Sequence, residues 1–218
     1  MSLEFDLYWS FRSPYSYLAT GRLVALVDEF DVVCNVRPVY PIAIRTPEFF
    51  EKVNPLWPPY LLRDCTRISQ MDGIPFKWPT PDPVVQNIAT RSISDDQPYI
   101  HRLTRLGIAA VEAGRGLPFL DEVSRLIWSG DVSGWNEGDH LAQAAQRAGV
   151  DLAELDRLIE ADPDHYERAI EANQDAHQAA GHWGVPTMVF DGEPLFGQDR
   201  ISHLVWRLEQ KGLARRAS

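Results

Sequence analysis

Strand-like patterns occur only near the two ends of this chain, and that separation narrows the folds open to it more than any other feature. Leu3, Phe5, Leu7 and Trp9 alternate with Glu4, Asp6 and Tyr8 in the period-2 pattern of a strand. After Ser13-Pro14, the apolar residues Leu23, Leu26, Val27 and Phe30 fall at i, i+3, i+4 and i+7, which predicts an amphipathic helix running to about Glu29. Ser13 as N-cap and Pro14 at the first helical position would start it. The run DVVCNVRPVY over 31–40 is β-branched and predicts a second strand, in which Pro38 must lie at an edge, a bulge or the end. A helix between two such strands implies parallel pairing through a right-handed crossover. At the other terminus, 187–190 and 194–196 flank Asp191-Gly192, a hairpin signal because both turn residues tolerate positive φ. A final helix follows with Ile201, Leu204, Val205 and Leu208 on one face and Gly212 as its C-cap.

The middle reads differently. Nine prolines between Pro41 and Pro83 predict irregular chain with short helices, the best of them over 60–71. Helical patterns then follow at 96–113, 119–129, 137–148, 152–161 and 165–180. The expected architecture is therefore α/β: a thioredoxin-like domain made of β-α-β (1–40) and β-β-α (177–218), interrupted by an all-helical insertion at 41–176. At 218 residues, one core with an insertion and two separate domains are both open by length.

Composition excludes several function classes. Hydrophobic residues at 44% and charged residues at 24% suit a packed globular core. A formal net charge of −10 argues against nucleic acid or an anionic membrane as the main partner and leaves room only for a local basic pocket. The N-terminus lacks a positive n-region, Glu4 and Asp6 break its apolar run, and no run nears ~20 apolar residues, so neither a signal peptide nor a span is expected. Cys34 and Cys65 form neither a CxxC nor a metal-type spacing and read as small buried hydrophobes in a reducing cytoplasm. The six histidines show no HExxH or similar spacing, so no metal is expected; no phosphate loop or G-x-S-x-G elbow appears.

Three segments carry the functional signal. Phe11-Arg12-Ser13-Pro14-Tyr15-Ser16-Tyr17-Leu18 lies where a thioredoxin fold keeps Cys-Pro-x-Cys, with serine in place of both cysteines. Gly184-Val185-Pro186-Thr187-Met188-Val189 precedes the hairpin, and Phe196-Gly197-Gln198-Asp199-Arg200 leads into the last helix. Taken alone, Ser13-Pro14 is a helix cap; the two distant segments point beyond capping, and both roles can coexist. Together they resemble the DsbA-like family of 2-hydroxychromene-2-carboxylate isomerases and the closely similar kappa-class glutathione transferases, over essentially the whole chain.

That resemblance implies glutathione as cofactor, a small aromatic substrate, and a homodimer. It implies Ser13 as the catalytic residue, holding the cofactor sulfur as an anion at a helix N-terminus, where orphan N–H groups and the macrodipole favour negative charge. A hydrogen bond to a charged group contributes ~1.5 to 3 kcal/mol, enough to lower a thiol pKa by one to two units. Val185, before a cis Pro186, would offer its backbone to the cysteinyl part; Gln198 and Asp199 would hold the γ-glutamyl end; Asn54 would touch the cofactor. Tyr60, Asp64 and Trp183 would flank the substrate, and Trp57, Trp78 and Trp183 read as an aromatic wall or as core filler. Where the family often has a lysine ahead of that tyrosine, this chain has Trp57-Pro58-Pro59, leaving Lys52, Arg63 or Arg67 as possible partners for the glycyl carboxylate. The activities implied are cis-trans isomerisation, or conjugation as in a kappa-like transferase; a non-catalytic binding protein is the remaining alternative. Ser13 and Ser16 cannot form a disulfide, which sets dithiol oxidoreduction aside.

Overall fold

The computed structural model describes residues 2–87 and 90–216. One mixed sheet is built from β1 (Leu3–Trp9), β2 (Val32–Pro38), β3 (Thr187–Phe190) and β4 (Glu193–Phe196), in the order β2-β1-β3-β4. β1 and β2 run parallel, Leu3 opposite Val32 and Trp9 opposite Pro38; β3 joins β1 antiparallel and closes the hairpin with β4. Pro38 thus ends an edge strand, where its missing N–H breaks no ladder. The β1–β2 crossover is α1 (Pro14–Glu29), and α10 (Ile201–Gln210) completes the C-terminal β-β-α. Gly212, at φ 87°, follows α10 in the left-handed conformation of a cap.

Eight helices lie between β2 and β3 among the described residues: α2 (Ile42–Arg45), α3 (Phe49–Lys52), α4 (Trp57–Asp72), α5 (Ile100–Glu112), α6 (Gly116–Trp128), α7 (His140–Arg147), α8 (Leu152–Ala161) and α9 (Pro163–Ala179). α4 starts earlier than its apolar pattern suggests because Pro58 and Pro59 occupy the first turn, whose N–H groups have no intrahelical acceptor anyway. α5 starts later than expected. Pro98 disfavours helix at Gln97, whose side chain instead bonds the backbone of Val85 and Ser94 at 2.8–2.9 Å. α7 also starts late, since Gly138 at φ 56° lies outside helical space.

One continuous core joins sheet and helices, with Phe5, Leu7 and Trp9 of β1, Leu18 and Leu23 of α1, and Leu103, Leu106, Phe119, Leu120 and Trp128 of the insertion all at 1% exposure or less. Each such side chain contributes roughly 1.5–3 kcal/mol on burial, so the helical block stabilises the sheet as well as itself. This packing fixes the turn between β1 and α1. Trp128 Nε1 donates to the Phe11 carbonyl at 2.9 Å, and the Phe11 ring packs edge-on against Trp9 and Phe119. A Cβ on Gly107 of α5 would meet that ring at 3.1 Å, so α5 approaches closely only because the position is glycine.

Candidate active site

Ser13 caps α1. Its Oγ accepts from the Ser16 N–H at 3.2 Å and donates to the Val185 carbonyl at 3.2 Å, across 172 positions of chain. The second contact joins the cap to the loop before β3, where Val185–Pro186 is cis. Pro14 has no N–H, the Tyr17 N–H is taken by the Ser13 carbonyl, and among the described residues the Tyr15 N–H has no partner. The end of α1 therefore presents a hydroxyl and a free amide on the positive side of the helix dipole.

A cavity of about 290 Å³ opens over this cap, walled by Ser13, Pro14, Tyr15, Phe49, Phe50, Trp57, Leu61, Trp183, Val185 and Phe196, with Arg12 and Arg45 as its charged groups. Gly184 lets the Val185 loop pack directly on the Phe196 ring of this wall, since a Cβ there would lie 2.5 Å from it. Trp183, half exposed, stands on the rim against Phe49 and His182. Trp57 lines the same wall, whereas Trp78 does not: it packs on Trp128 and over the Arg12 guanidinium. The aromatic wall thus has two of the three tryptophans proposed from sequence, the third being partly buried against the core.

The two arginines differ in their surroundings. Arg12 is only 8% exposed, lies between the Phe50 and Trp78 rings, and makes a bidentate pair with Asp82 at 3.1–3.2 Å. Asp82 also accepts from Trp78 Nε1, Val84 N and Gln86 Nε2, so the charge next to Ser13 is balanced. Arg45 has no carboxylate partner among the described residues. Its Nε donates to the Tyr40 carbonyl at 2.7 Å and its Nη2 to the Trp183 carbonyl at 2.8 Å, and burial lowers its pKa to about 10, which leaves it a cation at neutral pH.

The other residues singled out in the sequence fall in three places. Asp64 stands behind the cavity wall, accepting from the Tyr15 hydroxyl at 2.7 Å; burial and then this bond push the Tyr15 phenol up, so it stays protonated. Asn54 and Tyr60 do not line the cavity. They share a separate shallow groove with Leu56 and Arg63, because Leu61 and Cys65 take the inward face of α4 and turn Tyr60 outward, while Asn54 Oδ1 accepts from the Leu56 N–H. Gln198 and Asp199 lie beyond β4 in a 3₁₀ turn. Arg22 of α1 donates to both the carbonyl and the side-chain oxygen of Gln198, and Asp199 pairs with Arg200. Gly197, at φ 110°, turns the chain there and donates to the Pro186 carbonyl at 2.9 Å, tying this turn to the loop that bears Val185. None of Lys52, Arg63 and Arg67 lines the cavity, and Lys52 pairs with Glu48.

Sequence reasoning missed Arg45 and the Arg12–Asp82 pair. Arg45 belongs to a four-residue helix too short to show periodicity, and Asp82 lies in a loop 70 residues from its partner.

A four-stranded sheet interrupted by helices, with a capped helix start facing a cis-proline loop, defines the thioredoxin-like class. A model of the DsbA-like thioredoxin domain matches residues 4–209, and the chain belongs to that family. Among solved structures it is similar to a 2-hydroxychromene-2-carboxylate isomerase, at 20% identity over 95% of both chains with a TM-score of 0.69. It is also similar to a probable DsbA oxidoreductase from Streptomyces coelicolor, at 19% identity over 95% of this chain and 89% of that one, TM-score 0.65. The cytosolic disulfide reductase DsbM from Pseudomonas aeruginosa, also solved with GSH, matches at 16% identity over 95% and 100%, with TM-scores of 0.59 and 0.58. No curated protein sequence matches the chain. Identities this low establish the fold.

Proposed function

We propose that this protein is a glutathione-dependent cis-trans isomerase acting on an aromatic catabolite of the 2-hydroxychromene-2-carboxylate type. One observation carries the reading: at the helix end where the fold's redox members would place a cysteine, a serine hydroxyl and a free amide border a largely apolar cavity, while both cysteines lie elsewhere in the core or on β2. A site so built suits a sulfur brought by a ligand. Ser13 Oγ and the Tyr15 N–H would hold that sulfur, and the Val185 carbonyl, now accepting from Ser13, would pair with the backbone of the cofactor.

When bound, glutathione supplies a thiolate whose reversible addition to a conjugated double bond leaves a single bond free to rotate, with no net oxidation. Ser13 would lower the thiol pKa by hydrogen bonding to the charged form. Tyr15, whose hydroxyl donates to Asp64, would together with Trp57 and Trp183 confine the planar substrate away from bulk water. Similarity in fold to an isomerase with this substrate, and to a reductase solved with GSH, supports the reading.

Calorimetric titration with glutathione tests it in wild type and Ser13→Ala. Turnover in the variant is expected to fall ~10- to 100-fold with the fold intact, the scale of one lost donor to a charged sulfur. An unchanged rate would reduce Ser13 to a cap, and no binding by wild type would remove the cofactor. An isomer with glutathione unchanged supports isomerisation; a stable thioether assigns a kappa-like transferase instead.

A further inference from the structure

Next to the Ser13 cavity lies a second, larger one of about 560 Å³, and the two share Ile42, Arg45, Phe49 and Trp183 as a common wall. The outer cavity is the more polar. Arg45, Thr46, Gln178 and His182 line it, and no carboxylate does. Among the described residues, the Thr46 hydroxyl, the Gln178 amide and the Arg45 Nη1 have no protein partner, so the Nη1 edge of a guanidinium already fixed through Nε and Nη2 remains available. His182 Nδ1 accepts from the Gly184 N–H at 2.9 Å, which places the neutral ring's proton on Nε2 as a further donor. A protein with a net charge of −10 thus has, beside its cap, a site made of donors around an uncompensated cation.

We infer that the outer cavity is a carboxylate-binding site anchored by Arg45, serving a ligand whose other end lies in the Ser13 cavity. Arg45 holds the carbonyl of Trp183, two positions before Val185 in the chain, and lines both cavities, so a ligand reaching from the inner cavity across the shared wall would bring an acid group to it. The planar fork of arginine matches a carboxylate better than a lysine ammonium would. Two ligands offer this chemistry: the glycyl end of a thiol peptide and an aromatic acid. The inference rests on the proposed function only for the choice between them.

The test titrates the protein by calorimetry with two matched pairs, glutathione and its glycyl ethyl ester, and salicylate and salicylamide. In wild type, the acid of at least one pair is expected to bind ~10- to 100-fold more tightly than its uncharged partner, the scale of hydrogen bonds to a charged group. Arg45→Gln should bring that ratio to about one; because each ratio is taken within one protein, the folded fraction cancels. Should Arg45→Gln fail to fold, Gln178→Glu, at an exposed position of α9, puts a negative charge in the same cavity and should lower the ratio several-fold. A wild type that does not discriminate within either pair overturns the site, as does a ratio unaffected by these variants. Glutathione without affinity, but salicylate discriminated through Arg45, would end the glutathione reading and leave the site standing.

Discussion

The start of α1 and the places where this chain keeps its sulfur are opposite environments. At Ser13 a helix end offers a hydroxyl, a free amide and the positive pole of the dipole to a cavity. Cys65 is buried on the inward face of α4, and burial pushes its thiol up to about 12. Cys34, half-buried on β2, is pushed up by burial and then by Asp6. The region that would activate a thiol has none, and the regions that have one suppress it. The helix end, where a thiol would be activated, carries a serine, which is why the proposed function takes its sulfur from a ligand.

Restoring the sulfur tests that contrast with the largest expected effect. A Ser13→Cys thiol should be alkylated by iodoacetamide at pH 7.5 at least ~10³-fold faster than Cys34 or Cys65, since helix N-termini depress thiol pKa values to about 7 or below. Peptide mass spectrometry reads the ratio, and equal rates would break the comparison. Next in size is the Arg12–Asp82 pair that secures the residue before the cap. Asp82→Ala leaves a buried guanidinium without its partner and should cost about 3 kcal/mol in urea unfolding; a loss below about 1 kcal/mol would mean the charge is hydrated.

A smaller effect should come from His177, fully buried against Tyr8 with neither ring nitrogen hydrogen-bonded. Burial, then the Arg45 and His182 charges, lowers its pKa to about 4. Between pH 6.5 and 4 the unfolded chain binds a proton that the folded one refuses, so this neutral imidazole's stability is present above pH 6.5 and lost as pH falls. The loss from pH 7 to 4.5 should be about 2 kcal/mol. His177→Phe, which keeps the stack on Tyr8, should flatten that part of the stability profile relative to wild type. Parallel profiles would show that the ring takes up a proton without cost.

Local features could be read without coordinates. The alternation in β1, the Ser13-Pro14 start of α1 and the Asp191-Gly192 turn are each settled by neighbours in sequence, since capping, proline geometry and positive φ act within a few residues. The same holds for the split between the strand-bearing ends and the helical middle. Membership of the candidate site was legible only in part. Ser13, Val185 and Trp183 meet at one cavity, whereas Tyr60 faces away because the inward side of α4 is taken by Leu61 and Cys65.

The order of elements, the cap and the absence of a cysteine at the helix end belong to the sequence alone, because each depends on short-range patterns or on residue identity. The pairing of Arg12 with Asp82, the exposure of Arg45 to two cavities and the suppression of both thiols came from the tertiary structure. They depend on which distant groups share a low-dielectric interior, and no spacing along the chain encodes that.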